Sequence, residues 1–311
     1  MRERYAAQVQ LLVDVLPAVA AEGAFALKGG TAINLLYRDL PRLSVDIDLT
    51  YLPVQDRGTS LAGINVAMDR ISERGGIGTI GSSRIAGGGG GATRVLFQRG
   101  AATVKVETSP VTRGVVFEPD RRRVSSAVED AFGFAETAVV SFEDLYGGKI
   151  VAALDRQHPR DLFDIKQLYE NEGLTDDLFR SFLVYLASSG RPPHELLNPN
   201  LRDLEAVFAK EFDGMTVLPV TVDELGAARD ILIQDIRGRL SGRAAEYLFG
   251  LADGEPDFDL IGLPDAAGLP AIRWKLQNVE TLKQQDPAKH RGQAIALERL
   301  LLRHFKPRGF S

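Results

Sequence analysis

The stretch from Lys28 to Asp48 constrains the fold more than any other part of the chain. Residues 25–27 are apolar, as in a buried strand, and two glycines separate them from a helical run, Thr31–Arg38. The first amides of a helix have no intrahelical partners and lie at its positive end. A strand, a glycine turn and a helix start in this order predict a site for an anion such as a triphosphate.

The next segment predicts a pair of carboxylates on a strand. Leu43–Leu49 alternates apolar and polar residues with the two-residue period of a strand, which puts Asp46 and Asp48 on one face. Two such carboxylates suit Mg²⁺, a hard ion that binds carboxylate and phosphate oxygens. Either half of the pattern alone is typical of an ordinary turn or strand edge, and it is their order and closeness that favour a catalytic site.

The combined motif resembles a known family. Lys28-Gly29-Gly30-Thr31, followed by Arg42-x-Ser44-x-Asp46-x-Asp48, is similar to the AbiEii/AbiGii toxins of bacterial toxin–antitoxin systems, which have the polymerase-β-type nucleotidyltransferase fold. The resemblance implies that an NTP is bound by the lysine, glycines, threonine, arginine and serine of this motif. Mg²⁺ would be bound by its two aspartates.

A third acid follows on a later strand. Residues 102–107 alternate again, and Glu107 would lie beside Asp46 and Asp48 if the sheet is built as the resemblance implies. We expect it to be a metal ligand or the general base for the attacking hydroxyl. The alternative is an exposed strand carboxylate.

A second motif lies on two predicted helices. Ser141 is a plausible N-cap of the first, which carries Leu145, Lys149, Ala152 and Arg156 on one face, and the second begins near Arg160. This arrangement, continued by Asp161 and Asp164, again resembles the AbiEii family. The resemblance implies that Lys149 holds the phosphates of the nucleotide and that Asp161 is essential, with Asp164 the second candidate for that role. A buried Lys–Asp pair that only orients two helices is the structural alternative.

These patterns predict an α+β protein in two parts. A nucleotidyltransferase-fold domain, residues 1–140, would contain a mixed sheet flanked by helices. A helical lobe, residues 141–311, would complete the active site and bind the acceptor. Within the first domain we expect a hairpin tip at the glycine run 87–91 and a turn containing the arginines 121–123. These arginines can contact phosphates or simply keep a loop hydrated.

Composition excludes several classes of protein. The 311 residues include no cysteine, so disulfide frameworks and Cys-based zinc sites are impossible, and the four histidines show no ligand spacing. The chain starts with a predicted amphipathic helix where a signal peptide would be apolar, and no apolar run is long enough to span a membrane. We therefore expect a cytoplasmic protein without a membrane partner.

Charge is distributed unevenly along the chain. The net charge is −5, yet the segment 273–308 has nine Lys or Arg against three acids and carries +6, which leaves −11 for the remainder. A basic segment on an acidic protein is compatible with nucleic-acid binding, or with a crowded solvated helix surface. With the resemblance, it makes the 3′ end of tRNA the preferred acceptor, which implies inhibited translation and growth, and a cognate antitoxin protein is implied as a partner.

Three alternatives remain open at this point. In the first, the enzyme modifies a protein. In the second, it modifies a small molecule such as an antibiotic, and a polycationic antibiotic would require an acidic acceptor cleft. In the third, the chain is a binding module that has lost catalysis.

Overall fold

A computed structural model describes residues 3–87 and 91–304, which form two compact units. The first contains the residues up to Leu145 together with Phe212–Val220, and the second contains Tyr146–Glu211 and the residues from Thr221 onward. The division of function between a catalytic domain and an acceptor-binding lobe stays a prediction.

The first unit is built on a seven-stranded mixed sheet. Its strand order is β3-β4-β5-β2-β1-β7-β6, in which the pairs β1–β7 and β2–β5 are parallel and the other pairs are antiparallel. The strands in chain order are β1 (Phe25–Lys28), β2 (Asp46–Tyr51), β3 (Gly81–Gly87), β4 (Gly91–Arg99), β5 (Ala102–Thr108), β6 (Asp120–Arg123) and β7 (Glu136–Val139).

Four helices of the first unit accompany this sheet. They are α1 (Glu3–Ala20), α2 (Gly29–Ala32, continued by a π-helical turn Ile33–Tyr37), α3 (Arg57–Gly75) and α4 (Ser126–Phe132). The apolar stripe of α1 packs against β5 and α3, and its members are buried as its helical spacing predicts: Val9, Leu12, Val13, Leu16 and Val19. The buried stripe fixes the sheet that carries the site.

Helix α5 (Phe142–Arg156) links the two parts of the chain, and the second unit is otherwise entirely helical. Its remaining helices are α6 (Pro159–Asn171), α7 (Asp176–Ala187), α8 (Pro193–Leu197), α9 (Glu205–Glu211), α10 (Val222–Gly238), α11 (Arg243–Asp253), α12 (Pro270–Gln285) and α13 (Pro287–His304), with two short 3₁₀ turns at 258–261 and 264–268. The α+β architecture with a helical C-terminal region is therefore as predicted. None of the helices described is long and apolar enough to cross a membrane.

Two predicted elements differ in the structure. The strand expected at Leu43–Leu49 begins only at Asp46, because Pro41 and Leu43 form backbone hydrogen bonds with Val217 and Met215 of the returning segment, each 2.9 Å long. The arginines 121–123 lie in the edge strand β6, so the predicted turn is wrong. Charged side chains are typical of edge strands, where they oppose pairing with other chains.

The tip of the glycine run, residues 88–90, lies outside the described residues. The strands on either side of it, β3 and β4, are antiparallel partners as expected of a hairpin.

Candidate active site

A straight row of four charged residues crosses the centre of the sheet. Lys28 of β1 is the register partner of Asp48 of β2, which is the partner of Glu107 of β5, which in turn is the partner of Arg94 of β4. Register partners in neighbouring strands project their side chains from the same face. The row therefore has two carboxylates at its centre and a cation at each end, and it confirms that Glu107 lies beside the Asp46–Asp48 strand.

Two cations contact Glu107 directly, one from the row and one from its own strand. Arg94 Nε lies 2.9 Å from its Oε2, and Lys105 Nζ lies 3.2 Å from its Oε1. Lys105 is also the register partner of Asp46. Because Glu107 is about one quarter exposed, these ion pairs are partly screened by water and can be exchanged for another cation.

Burial and crowding disturb the charges at the centre of the row. The pKa of Asp48 is raised, chiefly by burial and further by the nearby carboxylates of Glu107 and Asp46, which together outweigh the opposing effect of Lys28. Burial likewise lowers the pKa of Lys28, although Asp48 and Glu107 oppose this shift. The charged form of Asp48 is thus disfavoured mainly by burial, and a cation added beside this carboxylate would favour it.

The glycine turn brings the backbone close to this centre. Gly29 has φ = +75°, and a Cβ at this position would lie 2.5 Å from Asp48 Oδ2. A Cβ on Gly30 would lie 2.6 Å from Arg42 Nη2 and 3.0 Å from Ser44 Oγ. Only glycine combines this backbone conformation with so close an approach at position 29.

Hydrogen bonds hold the residues of the turn together. Thr31 Oγ1 donates to the carbonyl oxygen of Asp46 and lies 3.0 Å from Ser44 Oγ. Arg42 Nη1 donates to Leu43 O at 2.8 Å. All the predicted nucleotide-binding residues from Lys28 to Ser44 are therefore gathered at the end of β1 and the start of β2.

A cavity opens beside the row. It has a volume of about 310 Å³ and is lined by Lys28, Asp48, Arg94 and Glu107, with Thr93 and the segment 108–110 on its other sides. A cavity of this size with a few convergent charged groups has the character of a small-molecule site.

The donor set suits Mg²⁺. Within residues 3–87 and 91–304, no three or more His, Asp or Glu side chains converge as a closed metal cage would require. Mg²⁺ is commonly bound by only one or two carboxylates together with substrate phosphates, and the crowded carboxylates around Asp48 provide such ligands.

The second motif forms a separate buried cluster in the helical unit. Lys149 Nζ lies 2.8 Å from Asp161 Oδ1 and 2.9 Å from Asp164 Oδ2, and all three side chains are almost completely buried. Arg156 adds a two-pronged contact to Asp161, at 2.5 Å from Nε and 3.0 Å from Nη2. The two cations hold the pKa of Asp161 well below its usual range despite its burial.

The turn between α5 and α6 keeps this cluster in place. Gln157 adopts φ = +50°, a conformation that favours glycine, and its buried side chain bonds to Asn200 O, Arg202 N and Arg229 Nη1 at 2.8, 3.0 and 3.1 Å. Asp161 lies in the first turn of α6, and its backbone amide donates to His158 O. These contacts are local to the second unit, so they explain the cluster without assigning it a catalytic role.

Predicted capping of α5 is confirmed with one difference. Ser141 Oγ accepts a 3.0 Å hydrogen bond from Asp144 N, as an N-cap should. The difference lies in the further partners of the Asp144 carboxylate, which accepts hydrogen bonds from Ser141 Oγ and from the backbone amides of Val116 and Phe117, at 2.8, 2.8 and 2.9 Å. Asp144 therefore anchors the loop that follows β5.

Sequence reasoning missed the two cations that contact Glu107 and one segment of the chain. Arg94 and Lys105 face Glu107 because of strand register, and their position in alternating strands was the only sequence signal for them. The segment Phe212–Val220, which bonds to residues 41–43, follows no local pattern that would have predicted this pairing.

Comparison with known proteins assigns the chain to a family. The family model described as "Nucleotidyl transferase AbiEii toxin, Type IV TA system" matches residues 10–278. The protein is thus a nucleotidyltransferase, an enzyme. More particularly, the chain belongs to the AbiEii family of nucleotidyltransferase toxins, as the two sequence motifs predicted.

Two further comparisons were made. The solved structure of MenT4, a nucleotidyltransferase toxin from Mycobacterium tuberculosis H37Rv, is similar over 98% of this chain and 96% of its own, with 13% sequence identity and a TM-score of 0.47. A search of curated proteins found no match.

Proposed function

We propose that this toxin transfers a nucleoside monophosphate from an NTP to a hydroxyl group of tRNA at its 3′ end, with Mg²⁺ as cofactor. The oxygen of the acceptor hydroxyl attacks the α-phosphorus of the NTP, and pyrophosphate leaves with the electrons of the broken bond. Modification at that end would block aminoacylation and hence translation and growth.

The observation that carries this proposal is the charged row. Its central carboxylates, Asp48 and Glu107, are in register on adjacent strands and line a cavity together with Lys28 and Arg94. Mg²⁺ held by Asp46 and Asp48, with Glu107 as a further ligand, would neutralise charge on the phosphates during transfer. Positioning and electrostatic stabilisation supply most of the acceleration in such reactions.

The residues around the row have roles that follow from their contacts. Gly29 and Gly30 allow phosphates to approach the backbone at the start of α2, where Thr31 and Ser44 present hydroxyl groups. Lys28 and Arg42 would bind phosphate oxygens at the same turn. In the helical unit, Lys149 is proposed to hold the phosphates and Asp161 to be essential by orienting Lys149 through the 2.8 Å contact.

A tRNA acceptor is supported by the basic segment 273–308. The described part of this segment carries seven of its nine lysines and arginines, spread over α12 and α13. Contacts to phosphates from such residues give affinity that is independent of sequence and falls with salt. A cognate antitoxin is proposed as the protein partner, because the matched family is described as the toxin of a toxin–antitoxin system.

The proposal is tested by incubating the protein with Mg²⁺, each α-³²P-labelled NTP in turn and total bacterial tRNA, followed by a denaturing gel. We expect label on tRNA that is absent when EDTA replaces Mg²⁺ and absent with the Asp48→Ala variant. The NTP that gives label identifies the nucleotide transferred.

Label elsewhere would change the acceptor and not the chemistry. Label on protein that survives RNase treatment would replace tRNA with a protein acceptor, and label on a small molecule would point to an antibiotic-modifying reaction. Transfer that continues unchanged in EDTA would overturn the role given to Mg²⁺.

A further inference from the structure

The helical unit contains a second cavity, remote in sequence from both motifs. It has a volume of about 280 Å³ and lies among α8, α11, α12 and α13. Its polar lining comes chiefly from α12 and α13: Lys275, Asn278, Lys289, His290 and Gln293. None of these residues takes part in the site described above.

A buried ammonium group lies at this cavity. Lys275 is only 8% exposed, and its Nζ donates to the carbonyl oxygens of Ser189 and Arg191 at 2.8 and 2.6 Å. An ammonium has three donors, so one remains after these two bonds. The carbonyl partners are neutral, and burial lowers the pKa of Lys275 to about 8, against an opposing effect of the nearby Glu195 carboxylate. An anion bound beside this poorly solvated ammonium would stabilise its charged form.

The charges nearby favour an anion. Glu195 also lines the cavity, but its carboxylate is paired with Arg191 at 3.1 Å. Lys289 is an exposed second cation at the cavity. His194, another lining residue, has a buried Nδ1 with no hydrogen-bond partner among the described residues.

The remaining lining is suited to a larger body than a free inorganic ion. The aliphatic side chains on the cavity wall are Leu251, Val279, Leu282, Ala294 and Leu297. The amides of Asn278 and Gln293 each offer a donor and an acceptor, as the edge of a nucleobase requires. His290 Nε2 lies 2.9 Å from Ala252 O, which orients its ring.

We propose that this cavity is a second nucleotide-binding site, which takes a nucleoside phosphate. The phosphate lies against Lys275 and Lys289, the sugar and base lie against the aliphatic wall, and the amides of Asn278 and Gln293 contact the edge of the base. The nucleotide is either a free mononucleotide or one unit of an RNA chain. This inference does not depend on the transfer reaction.

The test is isothermal titration calorimetry with AMP and adenosine, in EDTA, on the full chain and three variants. Lys275→Met removes the buried ammonium and Lys289→Met removes the exposed one. Lys283→Met is the matched control, because Lys283 is on the same helix and also donates to a backbone carbonyl, that of Asp253, but does not line the cavity.

We expect AMP to bind the wild type at least about tenfold more tightly than adenosine, because a phosphate–ammonium contact in a poorly solvated site is a strong hydrogen bond. The preference for AMP should vanish in Lys275→Met, shrink about threefold in Lys289→Met and persist in Lys283→Met. Binding at the sheet contributes the same preference to the wild type and to every variant, so the change in preference from wild type to variant reports on this cavity alone.

Equal affinities for AMP and adenosine in the wild type would overturn the proposal, as would an AMP preference that survives in both Lys275→Met and Lys289→Met. If Lys275→Met fails to fold, the exposed Lys289 still provides the test. Titration with a single-stranded RNA trinucleotide distinguishes a free mononucleotide from a unit of RNA as the ligand. If the trinucleotide binds more tightly than AMP and the same substitutions weaken its binding, the site is assigned to RNA. If it binds more weakly than AMP, the site is assigned to a free mononucleotide.

Discussion

The charged row of the sheet and the buried cluster of the helical unit both pair a lysine with aspartates, yet their electrostatics are opposite. In the row, the pKa of Asp48 is raised because burial and two neighbouring carboxylates outweigh Lys28. In the cluster, the pKa of Asp161 is lowered because Lys149 and Arg156 outweigh burial. The charged form of the aspartate is thus disfavoured in the row and favoured in the cluster.

The two places also differ in how far water reaches their ion pairs. The row has partly exposed members beside a cavity, and an added cation there would favour the charged form of Asp48. The cluster is closed by its own ion pairs, which are almost fully buried and strongly interdependent. We therefore expect changes in the row to affect catalysis first and changes in the cluster to affect stability first.

The largest effect should come from Asp48→Asn. The substitution preserves shape but removes the carboxylate at the centre of the row, so transfer should fall at least about 10³-fold while the melting temperature is maintained or rises. Initial rates with labelled NTP and a thermal melt measure the two quantities.

Asp130→Asn is the matched control, because Asp130 is exposed on α4 of the same unit. It should leave the rate unchanged. An Asp48→Asn protein with wild-type activity would remove the row from the mechanism and end the contrast with the cluster.

The second largest effect should be a loss of stability in the Lys149→Met variant. Removing the ammonium that contacts both buried aspartates should lower the free energy of unfolding by about 3–5 kcal/mol at pH 7. Urea denaturation followed by circular dichroism measures this loss. Lys166→Met, which removes a helical-surface pair with Glu170 and a 3.9 Å contact with Glu224, should change it by less than about 0.5 kcal/mol.

The pH dependence of Lys149→Met has a definite sign. The lowered pKa of Asp161 stabilises the wild type above the unfolded pKa of about 4, and this contribution is lost as the pH falls toward the folded value. The difference in the free energy of unfolding between wild type and variant should therefore become smaller below pH 4, where a protonated Asp161 no longer needs a cation. If this difference is constant from pH 7 to pH 3, the loss of stability in Lys149→Met is due to packing and not to charge.

Gly29→Ala should damage the row without changing any of its charges. The added Cβ would lie 2.5 Å from Asp48 Oδ2 at a residue with φ = +75°, so the carboxylate must shift. A displacement of this kind should lower transfer about 10²-fold, and the left-handed backbone adds about 1 kcal/mol of destabilisation.

Gly23→Ala is the control for this change. Nothing lies within 4 Å of a Cβ at that position, and its φ is not in the left-handed region. It should retain full activity, and if Gly29→Ala does so too, the close approach at the turn has no part in positioning Asp48.

The sequence predicted the acidic centre of the row better than the two cations that contact Glu107. Asp46 and Asp48 follow from the two-residue period, and Glu107 follows from that period together with the implied sheet order. Arg94 and Lys105 depend on the register between strands, which is set by long-range packing and cannot be read from either strand alone.

The same reason explains why one strand boundary was misplaced. Alternation extends through Leu43, but the start of β2 is decided by the segment Phe212–Val220, which pairs with residues 41–43. In the cluster, helical spacing predicted that Lys149 and Arg156 face negative charge. It did not reveal that Asp161 and Asp164 both contact the same ammonium group.

The smallest effect, and the one that refines the comparison most, should come from Glu107→Gln. Because Arg94 and Lys105 already neutralise this carboxylate, its loss should lower transfer only about tenfold and raise the Mg²⁺ concentration for half-maximal activity a few-fold. Rates measured across a Mg²⁺ titration give both values, with Glu73→Gln on the exposed face of α3 as the control. A loss as large as that of Asp48→Asn would make Glu107 an indispensable ligand or base, and Arg94 and Lys105 would then be cations that Mg²⁺ must displace. No change in either quantity would reduce Glu107 to an exposed strand carboxylate, and the proposed metal ligands would be limited to Asp46 and Asp48.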